Sequence, residues 1–80
     1  MANNNSGIYL IYCSGNGRRY VGSAVNLRKR WNQHESQLKR NQHANKHLQY
    51  TFNKYGVDAF EFSVLEYCEQ DMLLEREQFW

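Results

Sequence analysis

Tyr9 ends the tripeptide Gly7-Ile8-Tyr9 and Tyr20 begins Tyr20-Val21-Gly22, with ten residues between the two. A phenol hydroxyl can orient or activate a water, so two of them on one surface form a candidate acid–base pair. Arg30 and His34 stand four residues apart, which on a helix sets a guanidinium and an imidazole one turn apart. His43 and His47 repeat that spacing, and Glu77 stands among Leu73, Phe79 and Trp80. Taken singly, each has a plain structural explanation: strand tyrosines pack, surface arginines are solvated, and a core-edge histidine is ordinary. Taken together they suit phosphodiester hydrolysis. That reaction needs an activated water, a cation for the phosphorane charge and a carboxylate to anchor a divalent metal. Spacing alone does not bring the groups together.

The elements that must position them read as follows. Gly7 to Cys13 is a β-branched and aromatic run suited to a buried strand. Ser14-Gly15-Asn16-Gly17 is a hairpin turn, and Arg18 to Ser23 is the second strand. With an even loop, paired positions have an odd index sum, so Tyr9 and Tyr20 project from one sheet face. Asn26 is an N-cap for a helix from Leu27 to about Arg40, with Leu27, Trp31, His34 and Leu38 on its inner face. After the polar break Asn41 to Asn45, a second helix from Lys46 to Tyr55 buries Leu48, Phe52 and Tyr55 and stops at Gly56. Phe60 to Glu66 alternates as a third strand. A third helix runs from Gln70 or Asp71 to the end, and on it Leu73, Glu77 and Trp80 share a stripe. A carboxylate on an apolar stripe calls for a cation, a metal or a donor. Glu66 and Glu75 show no such placement.

Eighty residues with 41% apolar content and twelve aromatics make one folded domain. No apolar run approaches membrane-spanning length, and residues 1–6 lack the features of a signal peptide, so a cytoplasmic location and a loose N-terminus are expected. Cys13 and Cys68 are expected as buried thiols rather than a disulfide. Residues 18–54 carry a net +8 and residues 57–80 a net −6. That asymmetry points to a polyanionic partner, nucleic acid first, with contacts expected at Arg18, Arg19, Arg28, Lys29, Lys39, Arg40 and Lys46. A zinc site on His43 and His47 is a weak rival, because no paired cysteines accompany them.

In their order and spacing these motifs resemble the GIY-YIG nuclease family along nearly the whole chain. Tyr20-Val21-Gly22-Ser23-Ala24, Arg30-Trp31, His34 and the stretch Tyr50 to Gly56 look like the catalytic domains of phage group I intron homing endonucleases. Glu75-Arg76-Glu77-Gln78-Phe79-Trp80 resembles the family's metal-ligand helix. The resemblance implies an α+β fold: a small three-stranded antiparallel sheet flanked by three helices, ordered β-β-α-α-β-α. It implies a metal-dependent endonuclease acting on double-stranded DNA, in a bacterial or phage-infected cell or an organelle. It makes Tyr9 and Tyr20 active-site tyrosines and Arg30 the phosphate cation. It sets His43 near the site, leaves the role of His34 open, and makes Glu77 the ligand of one Mg²⁺ or Mn²⁺. The family has an Asn after that helix and sequence-specific members a downstream DNA-binding region, so a C-terminally truncated catalytic module is expected. The rivals are a restriction or repair nuclease of the same type and a binding module that no longer cuts.

Overall fold

β1 (Gly7–Cys13) is the central strand of an antiparallel sheet ordered β2-β1-β3, with β2 at Arg19–Ala24 and β3 at Phe60–Tyr67. The computed structural model describes residues 5–80. The run Ile8 to Tyr12 suits a central strand, and Ile8, Ile11 and Cys13 are almost wholly out of solvent. Helices α1 (Leu27–Lys39), α2 (Lys46–Tyr55) and α3 (Leu73–Phe79) complete the order β-β-α-α-β-α, the expected α+β arrangement.

The hairpin turns over Ser14 to Gly17. The Cys13 N–H donates to Arg18 O at 2.9 Å and the Gly17 N–H to Cys13 O at 2.8 Å. This four-residue loop gives the odd index sum: Ile11 lies opposite Tyr20 and Tyr9 opposite Gly22. Tyr9, Ile11 and Tyr20 therefore share one face, as parity requires. β2 starts at Arg19 and reaches Ala24, one residue later at each end than expected. Along the other edge, Ile8 pairs with Glu66 but Tyr9 with Val64, so β3 carries a bulge beside Tyr9. Gly7 marks the closest approach of β1 and β3. A Cβ there would lie 2.2 Å from Glu66 O, so the first residue of the Gly-Ile-Tyr triplet is fixed by backbone proximity.

Both long helices begin on an Asn cap: Asn26 accepts from the Lys29 N–H at 3.1 Å and Asn45 from the Leu48 N–H at 3.1 Å. Leu27, Leu38 and Leu48 join Tyr9 and Ile11 in the core, with Trp31, Phe60, Phe62 and Val64 packed around them. Each buried Leu stabilises by about 1.5–3 kcal/mol. Phe52 and Tyr55 are half-buried rather than buried. Phe52 leans on Phe60 with ring centroids 5.6 Å apart, and Tyr55 lies against Gly15 of the hairpin turn, so both cover the end of the sheet and keep one edge wet.

Several local expectations are corrected by long-range contacts. Asn5 and Ser6 are not loose: Asn5 O accepts from the Leu27 N–H at 2.7 Å, and Ser6 is fully buried against Cys68. The expected looseness of residues 1–4 lies outside the described residues. Cys13 is a buried free thiol, but Cys68 is only half-buried. A 3₁₀ turn occupies Gln70–Met72, so α3 proper starts at Leu73. Glu66, ordinary in the sequence, forms a two-pronged ion pair with Arg76 at 2.7 and 2.8 Å and accepts from Trp80 Nε1 at 3.3 Å. That pairing ties α3 to β3. Among the described residues no helix is long and apolar enough to cross a membrane.

Candidate active site

Tyr9 stands at the head of a hydrogen-bonded chain of three side chains. Its hydroxyl lies 2.8 Å from His34 Nε2, His34 Nδ1 lies 2.7 Å from His43 Nε2, and the Asn45 N–H lies 3.0 Å from His43 Nδ1. The backbone end fixes the direction of every bond. An N–H only donates, so His43 Nδ1 is bare and its proton sits on Nε2. That proton goes to His34 Nδ1, which leaves the His34 proton on Nε2, donating to the Tyr9 oxygen. Tyr9 thus accepts from His34 and keeps its own proton for another partner.

This ordering requires both imidazoles to be neutral, and their surroundings hold them so. Burial, then the Arg30 charge, then His43 lower the His34 pKa from 6.5 to about 4. Burial and Arg30 also lower that of His43, and the Asn45 N–H, bonded to the bare nitrogen, favours the same neutral ring. Gln49 secures the far end, its Oε1 accepting from the His43 N–H at 3.0 Å and its Nε2 donating to Leu38 O at 3.0 Å. Gly22 makes room for Tyr9, since a Cβ there would sit 2.4 Å from the tyrosine hydroxyl. The last glycine of the Tyr-Val-Gly triplet is therefore also a steric requirement.

Tyr20 has a separate partner: its hydroxyl is 2.7 Å from His47 Nδ1 and 3.3 Å from Thr51 Oγ1. Tyr9, Tyr20, Arg30, His34 and His43 all line one cleft of about 260 Å³, with Val21, Ala44 and Leu48 among its walls. Arg30 is half-buried, with a long 3.4 Å contact from Nη1 to Gln33 Oε1, and gives the cleft a fixed cation. Five of the residues singled out in the sequence thus converge. His47, Gln49 and Thr51 were not assigned to this site by sequence reasoning. Their only local signal is one-turn spacing along α2, and their partners come from β2 and α1.

Glu77 does not line this cleft. It is half-buried on α3, a helix that packs against β2 and β1, and its side chain has no hydrogen bond or ion pair among the described residues. Among those residues no three His, Cys, Asp or Glu side chains are grouped to hold a metal. A lone unpaired carboxylate is what a hard ion such as Mg²⁺ uses, since it keeps most of its waters and takes only one or two protein carboxylates. Glu77 fits that ion. His43 fits zinc poorly, because both its ring nitrogens are already hydrogen-bonded. The expected DNA contacts Arg18, Arg19, Arg28, Lys29, Lys39, Arg40 and Lys46 are all exposed.

The family model of the GIY-YIG catalytic domain matches residues 5–80. The chain belongs to the GIY-YIG family. It is 46% identical over 77 residues to intron-associated endonuclease 1 of enterobacteria phage T4, covering 94% of this chain and 31% of that protein. It is 39% identical over 61 residues to probable intron-encoded endonuclease 1 of Neurospora crassa, covering 76% of this chain and 19% of the relative. The solved catalytic domain of homing endonuclease I-TevI superposes with a TM-score of 0.85 at 44% identity, over 94% of this chain and 83% of that one. This GIY-YIG domain therefore has the I-TevI catalytic-domain fold and spans less than a third of the length of the curated relatives it matches.

Proposed function

We propose that this GIY-YIG domain hydrolyses phosphodiester bonds of double-stranded DNA, as part of a homing-type endonuclease that takes its sequence preference from a further region. The observation that carries the reading is the convergence of two tyrosines, a half-buried arginine and two neutral histidines on one cleft in a GIY-YIG fold. Arg30 would bind the phosphoryl oxygens and offset the charge that builds on them. Tyr9, accepting from His34, would offer its proton to a phosphoryl oxygen or to the attacking water, and the His34–His43 chain would hold it in that attitude. Glu77 would hold one divalent ion, Mg²⁺ or Mn²⁺, which when bound supplies Lewis-acid stabilisation of charge on phosphate oxygens. The exposed basic residues would bind the backbone of the duplex without reading sequence.

The test is nicking of supercoiled plasmid with and without Mg²⁺. Glu77→Ala and Arg30→Ala are each expected to lower Mg²⁺-dependent nicking by at least about 10²-fold, the usual loss for one transition-state group. Melting temperatures should stay close to that of the wild type. Nicking that survives both substitutions rejects this assignment of the site.

A further inference from the structure

We infer that Gln49, braced by Asn53, is a positioning residue for the reaction: from outside the cleft it sets where His43 stands and so keeps the His43–His34–Tyr9 chain joined. The inference rests on the nuclease reading above. The connection between α1 and α2, residues 40–45, is what must be held. α1 closes on Asn41 in the left-handed conformation (φ 59°), whose N–H reaches Leu38 O at 3.1 Å while the Gln42 N–H reaches Gln37 O at 2.8 Å. The next residue, His43, gives its main-chain N–H to a side chain, Gln49 Oε1 at 3.0 Å. Gln49 Nε2 donates its two hydrogens to Leu38 O at 3.0 Å and to Asn53 Oδ1 at 3.0 Å. Asn53 Nδ2 in turn donates to Asn41 Oδ1 at 2.9 Å. One amide on α2 thus holds the end of α1, the main chain of His43 and, through Asn53, the turn between them.

Only one orientation of each amide satisfies these contacts. A carbonyl only accepts and a backbone N–H only donates, so Gln49 turns its nitrogen to Leu38 and its oxygen to His43. Its second hydrogen then fixes Asn53, and Asn53 fixes Asn41. Gln49 is 6% exposed, so the flipped amide would leave buried donors facing donors and acceptors facing acceptors. Packing alone asks for no amide here, since the neighbouring Leu48 is apolar and buried more deeply still. The demand comes from His43. The Asn45 N–H orders its ring, but its main chain must also stand where Nε2 comes within 2.7 Å of His34 Nδ1. A displacement of about 1 Å would carry that bond outside hydrogen-bonding range and release His34 from its orienting partner. A buried, fully bonded amide network supplies that rigidity.

Single-turnover nicking of supercoiled plasmid with Mg²⁺, with rates taken per folded molecule, tests the brace. Gln49→Met keeps the bulk and loses all three bonds. It is expected to lower the maximal rate by about 10-fold to 10²-fold, the loss that a misplacement transmitted from outside the chemistry produces, with half-saturating DNA little changed. Asn53 is exposed, so its variants are expected to fold even where Gln49→Met does not. Asn53→Ala should slow nicking severalfold. Asn53→Asp still accepts from Gln49, and the exposed Asn41 can turn its amide to donate in return, so this variant should recover the maximal rate. In the metal-free domain the hydrogen on His43 Nε2, held between two rings, should give a slowly exchanging ¹H–¹⁵N signal in the wild type and in Asn53→Asp. The same signal should exchange fast in Gln49→Met and Asn53→Ala. A wild-type rate with an unchanged signal in Gln49→Met overturns the positioning role, and Asn53→Asp no faster than a slowed Asn53→Ala overturns the brace. A wild-type chain that never nicks rejects the nuclease reading, and the His43 signal then decides by itself whether Gln49 positions the rings.

Discussion

His34 is the residue on which the order of the Tyr9 chain depends, because it must remain an uncharged donor at Nε2 and an acceptor at Nδ1. Burial and Arg30 achieve this by lowering its pKa to about 4, and the same two causes act on His43. The cost appears in stability. Between pH 6.5 and about 4 the unfolded chain binds a proton at His34 that the folded chain refuses, so stability is complete above 6.5 and falls with pH through that window. The slope for one such group reaches about 1.4 kcal/mol per pH unit. Thermal melts should therefore change little above pH 7 and drop steeply from 6.5 toward 4, and His34→Phe should flatten that limb. A wild-type melting temperature that holds to pH 4.5 counts against the neutral chain. Single residues of this cleft were legible in the sequence where their types were odd for their places: a histidine on the α1 core stripe and paired tyrosine motifs. His47 was not, because an exposed histidine on α2 is unremarkable until Tyr20, 27 residues away, is set against its ring.

At the scale of elements, the two Asn caps look alike in sequence and differ in what hangs on them. Each accepts one N–H of its helix at 3.1 Å, and replacing either by Ala should cost about 1 kcal/mol. Asn26 only starts α1. Asn45 starts α2 while its backbone N–H fixes the His43 tautomer, so loosening that turn loosens the Tyr9 chain. The expected outcome is an equal fall in urea midpoint for Asn26→Ala and Asn45→Ala, with nicking per folded molecule reduced severalfold only in the second. Equal activity in both would detach the α2 cap from the site. The strands, the hairpin parity, the caps and the first two helices were all readable because short-range rules determine them. What the sequence hid was the docking of α3. The 3₁₀ turn before it and the Glu66–Arg76 pair arise from tertiary contact, and neither the spacing within α3 nor that within β3 announces them.

For the whole molecule the governing quantity is how charge is laid over an elongated body 40 Å in its longest extent. The hairpin turn, α1 and α2 carry the basic residues, and β3 with the segment after it carries most of the acidic ones. The proposed duplex should therefore approach the α1 and hairpin side, which is also where Arg30 and both tyrosines open. Lys39 is paired with Glu35 at 2.8 Å, but both are solvent-exposed enough for the pair to be weak, and Lys39 remains available to a phosphate. Each phosphate neutralised adds about 0.9 to the magnitude of the slope of log K against log salt on B-DNA. Replacing Arg28 and Lys29 together by Gln should reduce that magnitude by about 1–2 and weaken binding to any sequence alike, because these contacts hold the backbone without reading bases. Fluorescence anisotropy with a labelled duplex across a salt series measures both. Equal slopes for the wild type and the Arg28/Lys29 double variant would place the duplex on another face, and the cleft would then have to be reached without help from the helix that carries Arg30.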